Sequence, residues 1–235
     1  EFYNLADVKG VANGYEGVPN GCMGITAADY NRDGLVDMHI TNFHTESGNL
    51  FIQSGSGLFT DYAIRYGISE PTMPMVGFGT KSIDFDRNGW LDLIITNGNI
   101  FDTRIYSSDN LFKMPPQLLM GSGSRFDSVE VDDDTDFWSQ SYLGRAMSSV
   151  DFDRNGTVDV IVGHVERPVA VLRNETRTSG SWVQLRLVGR ICERDAIGAT
   201  VVVKAGDEAI TPWVTAGDGY QCSEQPVLDF GLGVI

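Results

Sequence analysis

Apolar residues fall along this chain in short runs, and three of the runs start where an acidic, glycine-containing loop ends. Met38-His39-Ile40-Thr41 follows Asp37, Leu93-Ile94-Ile95-Thr96 follows Asp92, and Val160-Ile161-Val162 follows Asp159. Short apolar runs rich in β-branched residues and bounded by turn signals predict buried strands. A second segment then recurs. Leu50 to Phe59 and Leu118 to Phe126 each read as a strand, a Gly/Ser turn and an aromatic opening another strand, which predicts a hairpin. Val169 to Asn174 is a shortened third copy. From about Gly180 the pattern changes. Trp182 to Val188 alternates as a half-buried strand does, and Val201 to Lys204, Thr211 to Val214 and Leu228 to Phe230 follow it. The predicted fold class is all-β, with a repeat part over residues 1–178 and a small sandwich-like unit over 179–235. A Thr/Ser/Gly-rich linker from Asn174 to Ser181 joins them.

The loops themselves share one spacing. Asp29, Asn31, Asp33 and Asp37 surround Gly34. Asp84, Asp86, Asn88 and Asp92 surround Gly89. Asp151, Asp153, Asn155 and Asp159 surround Gly156. Oxygen side chains thus stand at positions 1, 3, 5 and 9 about a glycine at position 6. Calcium takes six to eight oxygens, alternate carboxylates can face one centre, and the glycine permits the sharp turn. One such cluster also suits an ordinary turn. Three copies at one internal spacing predict Ca²⁺ sites. The position-7 carbonyls of Leu35, Trp90 and Thr157 complete the expected ligand set. An EF-hand is excluded, because position 12 is Ile40, Ile95 or Val162 where that loop needs a bidentate glutamate.

The loops start 55 and 67 residues apart, and the longer interval holds an insertion from about Asn99 to Pro116. Periods of this size with several strands predict propeller blades or a solenoid, and a four-stranded blade fits the length. The loops and their strands resemble the FG-GAP/VCBS repeats also found in integrin α chains. The tail residues Arg194-Asp195-Ala196-Ile197-Gly198-Ala199, Ala216-Gly217-Asp218-Gly219-Tyr220 and Phe230-Gly231-Leu232-Gly233 resemble the ASPIC/UnbV domain. Together they resemble bacterial proteins related to the cartilage acidic protein family, a resemblance that includes Thr96-Asn97-Gly98 and Met114-Pro115-Pro116-Gln117. It implies a secreted or surface protein with a seven-bladed, calcium-bearing propeller and a C-terminal ASPIC/UnbV domain. With three loops the chain is expected to hold about three blades in an open arc, a fragment of a larger ring. The usual ASPIC/UnbV strand after Gly233 is missing, and the ends at Glu1 and Ile235 are expected to be cuts in a longer protein.

Composition narrows the classes. The chain has 235 residues, 42% hydrophobic and 21% charged, which fits a globular protein. No apolar run is long enough to span a membrane. The net charge of −15 argues against nucleic acid, whose binding depends on neutralising phosphates. Nine of the 32 acids sit in the three loops, so three bound Ca²⁺ would bring the charge to −9. Such loops suit millimolar extracellular calcium, so a secreted, periplasmic or cell-surface location is expected. Cys192 and Cys222 fall together in the tail and are either bridged or two buried thiols, while Cys22 has no evident partner. The acidic run from Glu130 to Asp136 reads as a solvated loop. His39 occupies an apolar strand position and reads as a core residue. Asn42, Asn97 and His164, each five residues past a final loop Asp, read as strand-end caps that could also line one rim. No nucleophile elbow, zinc motif, P-loop or dinucleotide fingerprint appears. The expected function is therefore binding or adhesion to an extracellular protein or glycan, with structural calcium and no enzymatic activity. The alternative is an enzyme acting on extracellular polymer, with its site in the propeller mouth or a missing region.

Overall fold

A computed structural model describes residues 1–102, 112–132, 135–177, 180–206 and 208–233. Parts of the predicted insertion (103–111), the acidic run (133–134) and the proposed boundary at 178–179 lie outside the described residues. Three antiparallel meanders follow one another. The first contains β1 (Ile25–Ala28), β2 (Asp37–Ile40), β3 (Asn49–Gln53) and β4 (Phe59–Asp61), in that spatial order. The second contains β5 (Gly77–Ile83), β6 (Asp92–Asn97), β7 (Gln117–Gly121) and β8 (Phe126–Val129), again in order. The third contains β9 (Gly144–Val150), β10 (Asp159–His164) and β11 (Ala170–Leu172), and among the described residues the shortened copy of the hairpin gives no fourth strand. Each acidic loop is the connection between the first two strands of its meander. Ala28 pairs with Asp37, Ile83 with Asp92, and Val150 with Asp159.

The apolar runs are explained by how the meanders stack. β6 is buried along its whole length. Leu93 and Ile95 point into a core shared with Leu50, Ile52 and Tyr30 of the first meander. Ile94, on the opposite face, packs with Met147, Val160 and Val162 of the third. A strand covered on both faces has no polar side, which is why Leu93-Ile94-Ile95 does not alternate. The first strands lie together, with β5 packed against both β1 and β9.

The tail departs from the expected sandwich. β12 (Ser181–Arg186) pairs with β15 (Val227–Gly233), and β13 (Val203–Ala205) pairs with β14 (Glu208–Ile210), as two separate ribbons. The tail also docks on the first strands of the meanders. Ile25 and Gly219 exchange backbone hydrogen bonds of 3.1 and 2.6 Å. The Thr26 hydroxyl donates to Asp218 at 2.8 Å, and the Ser149 hydroxyl donates to Glu224 at 2.6 Å. Lys81 is buried to 1% exposure on β5 and pairs with both Asp218 and Glu224. Burial lowers the Lys81 pKa and raises that of Asp218, each partly offset by the other's charge. All three cysteines are free thiols. The bridge weighed for Cys192 and Cys222 is thus not made. Cys192 sits exposed in the 189–194 turn, while Cys222 donates to the carbonyls of Met147 and Asp218. No helix among the described residues is long and apolar enough to cross a membrane.

Breaking a buried ion pair from one side costs more than the pair contributes, because the other charge stays buried. Lys81→Ala, which takes the cation from both Asp218 and Glu224, is therefore expected to lower stability by about 3 kcal/mol, measured by urea denaturation. Glu130→Ala, at an exposed site, should stay within about 0.5 kcal/mol of wild type.

Candidate metal centres

All three loops have the same backbone. Position 4 is an arginine in the left-handed region, with φ of 60° at Arg32, 58° at Arg87 and 60° at Arg154. Position 6 is the glycine, at φ of 81°, 92° and 90°. The N–H of position 7 donates to the side-chain oxygen of position 5. These bonds run from Leu35 to Asp33 (2.8 Å), Trp90 to Asn88 (2.7 Å) and Thr157 to Asn155 (2.7 Å).

Position 9 fixes the loop to its sheet. Asp37, Asp92 and Asp159 are buried to 0–1% exposure. One oxygen of each accepts the N–H of position 2, from Tyr30 (3.0 Å), Phe85 (2.9 Å) and Phe152 (2.9 Å). The other accepts an N–H at the end of the third strand, from Gln53 (2.8 Å), Gly121 (2.8 Å) and Asn174 (2.8 Å). A single carboxylate thus closes each hairpin and ties it to the next strand.

Loops 2 and 3 gather their acids. Ligand oxygens of Asp84, Asp86 and Asp92 all lie within 4.8 Å of one another, as do those of Asp151, Asp153 and Asp159. Position 1 supplies the test of whether a cation fits. Asp84, 5% exposed, accepts the Gly89 N–H through Oδ2 at 2.9 Å, while its Oδ1 is buried with no hydrogen-bond partner. Asp151 repeats this, with Oδ2 on the Gly156 N–H at 3.0 Å and a buried, unpartnered Oδ1. Buried carboxylate oxygens need a partner, and a hard divalent cation would supply one. Loop 1 differs. Its three carboxylates are not among the described groups that converge in this way. Asp29 is satisfied on both oxygens by the N–H groups of Asp33 and Gly34. Asp33 is exposed and bonds only within the loop, to the Asn31 amide and the Leu35 N–H.

The recurring arginine at position 4, legible in the sequence but not used there, links the loops. Arg32 lies 3.6 Å over the Trp90 ring and donates to the Gly89 carbonyl of loop 2. Arg87 lies 4.1 Å over the Trp182 ring and donates to the Gly156 carbonyl of loop 3. Trp90 therefore has a packing role besides its expected carbonyl. Arg173 pairs with Asp153 at 2.7 Å, so loop 3 has a resident positive charge on its rim.

The residues at the far strand ends behave as caps. Asn42 donates to the Ser47 carbonyl and to Asn49, and Asn97 donates to the Pro115 carbonyl and to Gln117. His164 contacts the Pro168 carbonyl and stacks on Tyr142. His39 is fully buried against Thr80, and burial lowers its pKa to about 3, so it is a neutral core residue.

Two parts of the chain match models of known protein families. Residues 29–95 match the FG-GAP-like repeat model, and residues 189–235 match the ASPIC and UnbV model. The chain carries an FG-GAP-like repeat region and an ASPIC and UnbV segment. It is 28% identical to cartilage acidic protein 1 of Xenopus tropicalis over 244 residues, covering 99% of this chain and 34% of the relative. It is 29% identical to cartilage acidic protein 1 of Mus musculus and of Homo sapiens over 221 residues, covering 89% of this chain and 31% of each relative. The chain spans about a third of the length of these curated relatives. The FG-GAP-like match contains loops 1 and 2, and the ASPIC and UnbV match contains the tail segments that dock on β1, β5 and β9.

Burial raises the pKa of Asp37 and Asp84 to about 6 and that of Asp92 to about 8, against the pull of their backbone donors. A carboxylate with a raised folded pKa favours the protonated native state. Its contribution is fully present below the unfolded pKa near 4 and is lost as pH rises through the folded value. The melting temperature in chelator is therefore expected to fall from about pH 4 to about pH 8. Saturating calcium should flatten or reverse that trend, because a cation favours the ionised carboxylates. Thermal melts at stepped pH with and without chelator check both.

Proposed function

We propose that this chain is the calcium-binding part of an extracellular propeller-type protein whose role is binding, with calcium as a structural clamp and no catalytic activity. The observation that carries the reading is the pair of buried, unpartnered oxygens, Asp84 Oδ1 and Asp151 Oδ1, each inside a cluster of three converging carboxylates. Each meander corresponds to one blade, with residues 1–178 as the repeat part and 179–235 as the C-terminal unit. The ligand set is the side chains at positions 1, 3, 5 and 9 with the position-7 carbonyls. Loops 2 and 3 form the tighter sites. Loop 1, with Asn31 at position 3 and an exposed Asp33, forms a weaker one. Similarity to cartilage acidic protein 1 and the millimolar calcium that such loops suit both support a location outside the cytosol. The partner is an extracellular protein or glycan. The acidic charge speaks against nucleic acid.

Titration calorimetry with calcium should show two tighter events and one weaker event per chain. A cation bound only to the native state adds about 2.7 kcal/mol per site at a hundredfold excess over Kd, so excess chelator should lower the melting temperature clearly. Asp84→Ala removes a ligand and strands the Gly89 N–H. It should cost about 2 kcal/mol and one tight binding event, whereas Glu130→Ala should change neither. Equal melting temperatures in millimolar calcium and in chelator would contradict the structural role.

A further inference from the structure

Asp84 differs from its counterparts in the other loops by reaching outside its own loop. Its Oδ2 accepts a second hydrogen bond, 3.0 Å, from the N–H of Gly231 on β15. The hydrogen bonds of Asp29 and the Oδ2 bond of Asp151 come from N–H groups of their own loops. The approach of β15 is so close that only glycine fits. A Cβ on Gly231 would stand 2.3 Å from Asp84 Oδ2 and 2.6 Å from the Arg87 Cα. At the other edge of the same ribbon a Cβ on Gly180 would stand 2.4 Å from the Arg87 carbonyl oxygen. β12 adds Trp182, which stacks under Arg87, and Gln184, which donates to the Gly156 carbonyl at 3.1 Å. The β12–β15 ribbon therefore rests on the backbone of loop 2 itself, and one of its anchors there is a carboxylate of the acidic cluster.

We infer that Gly231 is a positioning residue for the loop 2 cation, and that docking of the C-terminal ribbon and metal binding at loop 2 are one coupled equilibrium. The argument rests on the calcium reading of loop 2. With a cation on Oδ1, Asp84 is held as an anion with Oδ2 turned to Gly231, and a hydrogen bond to an ionised acceptor is the stronger kind. Without it, three carboxylates within 4.8 Å repel one another. Their relief is to open the loop, which moves the surface that Gly231 and Gly233 pack on. Coupling of this sort is reciprocal: the cation favours the docked ribbon, and the docked ribbon raises cation affinity by the same factor.

Hydrogen exchange on the full chain tests this, with calorimetry on the same samples. Calcium should slow exchange in the 227–233 segment about tenfold relative to chelator, within the usual span of coupling factors. Asp86→Asn should abolish that slowing. Among the described residues Asp86 accepts hydrogen bonds from Asn88 of its own loop and none from the ribbon. Asp33→Asn, equally confined to loop 1, should leave the slowing in place. In the reverse direction, Gly231→Ala should weaken one tight calcium site about tenfold and leave the other; the wild-type, Asp86→Asn and Asp33→Asn arms stand even where that variant fails to fold. Bound calcium with unchanged exchange at 227–233, or equal loss from Asp33→Asn, would overturn the coupling and leave the calcium reading intact. An absence of calcium binding by calorimetry would remove the calcium reading itself and the coupling with it.

Discussion

A buried carboxylate at the mouth of each hairpin organises everything around it. Asp37, Asp92 and Asp159 each accept one N–H from the loop that precedes them and one from the end of the next strand. No apolar side chain could make those bonds, and no longer acid would reach both donors from the same backbone position. The cost is a charge in a desolvated place beside two more acids. Two backbone donors offset part of it, and the remainder falls on the oxygens of Asp84 and Asp151 that find no protein partner. Fold and metal chemistry are therefore the same feature. The residues that shape the turn also create a deficit that a divalent cation would fill.

The meanders are joined by a second device of similar economy. Arg32 and Arg87 occupy strained left-handed positions that cost of order 1–3 kcal/mol each. In return each guanidinium spans to the neighbouring loop, donates to its glycine carbonyl and stacks on a tryptophan. The second of those tryptophans, Trp182, comes from the tail, which takes the place that position 7 fills in loop 2. Together with the Lys81 pairs to Asp218 and Glu224, this makes the tail part of the same packed body as the repeats.

Much of this was legible in the sequence. The nine-residue loop spacing, the strands that follow it, the Gly/Ser hairpins and the reading of His39 as core all rest on local chemistry, where the residue and its neighbours decide the outcome. The arginine at position 4 was also visible in all three copies. Its role was not, because the carbonyl and ring it meets belong to a different loop. The inequality of loop 1 depends on which oxygens converge, and Asn31 with Asp33 shows the same composition as Asn88 with Asp86 in swapped order. The tail was least legible. Its strands alternate like those of a small sandwich, but its faces are covered by β1, β5 and loop 2, and nothing in a local pattern records a long-range contact. Cys222 shows the same cause, since it is held against the Met147 carbonyl of β9 and away from Cys192, which stays exposed in its own turn.

The most direct test of the account is a crystal structure of the chain grown in calcium, with anomalous scattering used to locate the ion. The account predicts peaks inside loops 2 and 3, with Asp84, Asp86 and Asp92 around one and Asp151, Asp153 and Asp159 around the other, at oxygen distances of about 2.3–2.6 Å. Ordered loops with no anomalous peak, and water or a protein donor against Asp84 Oδ1 and Asp151 Oδ1, would contradict it.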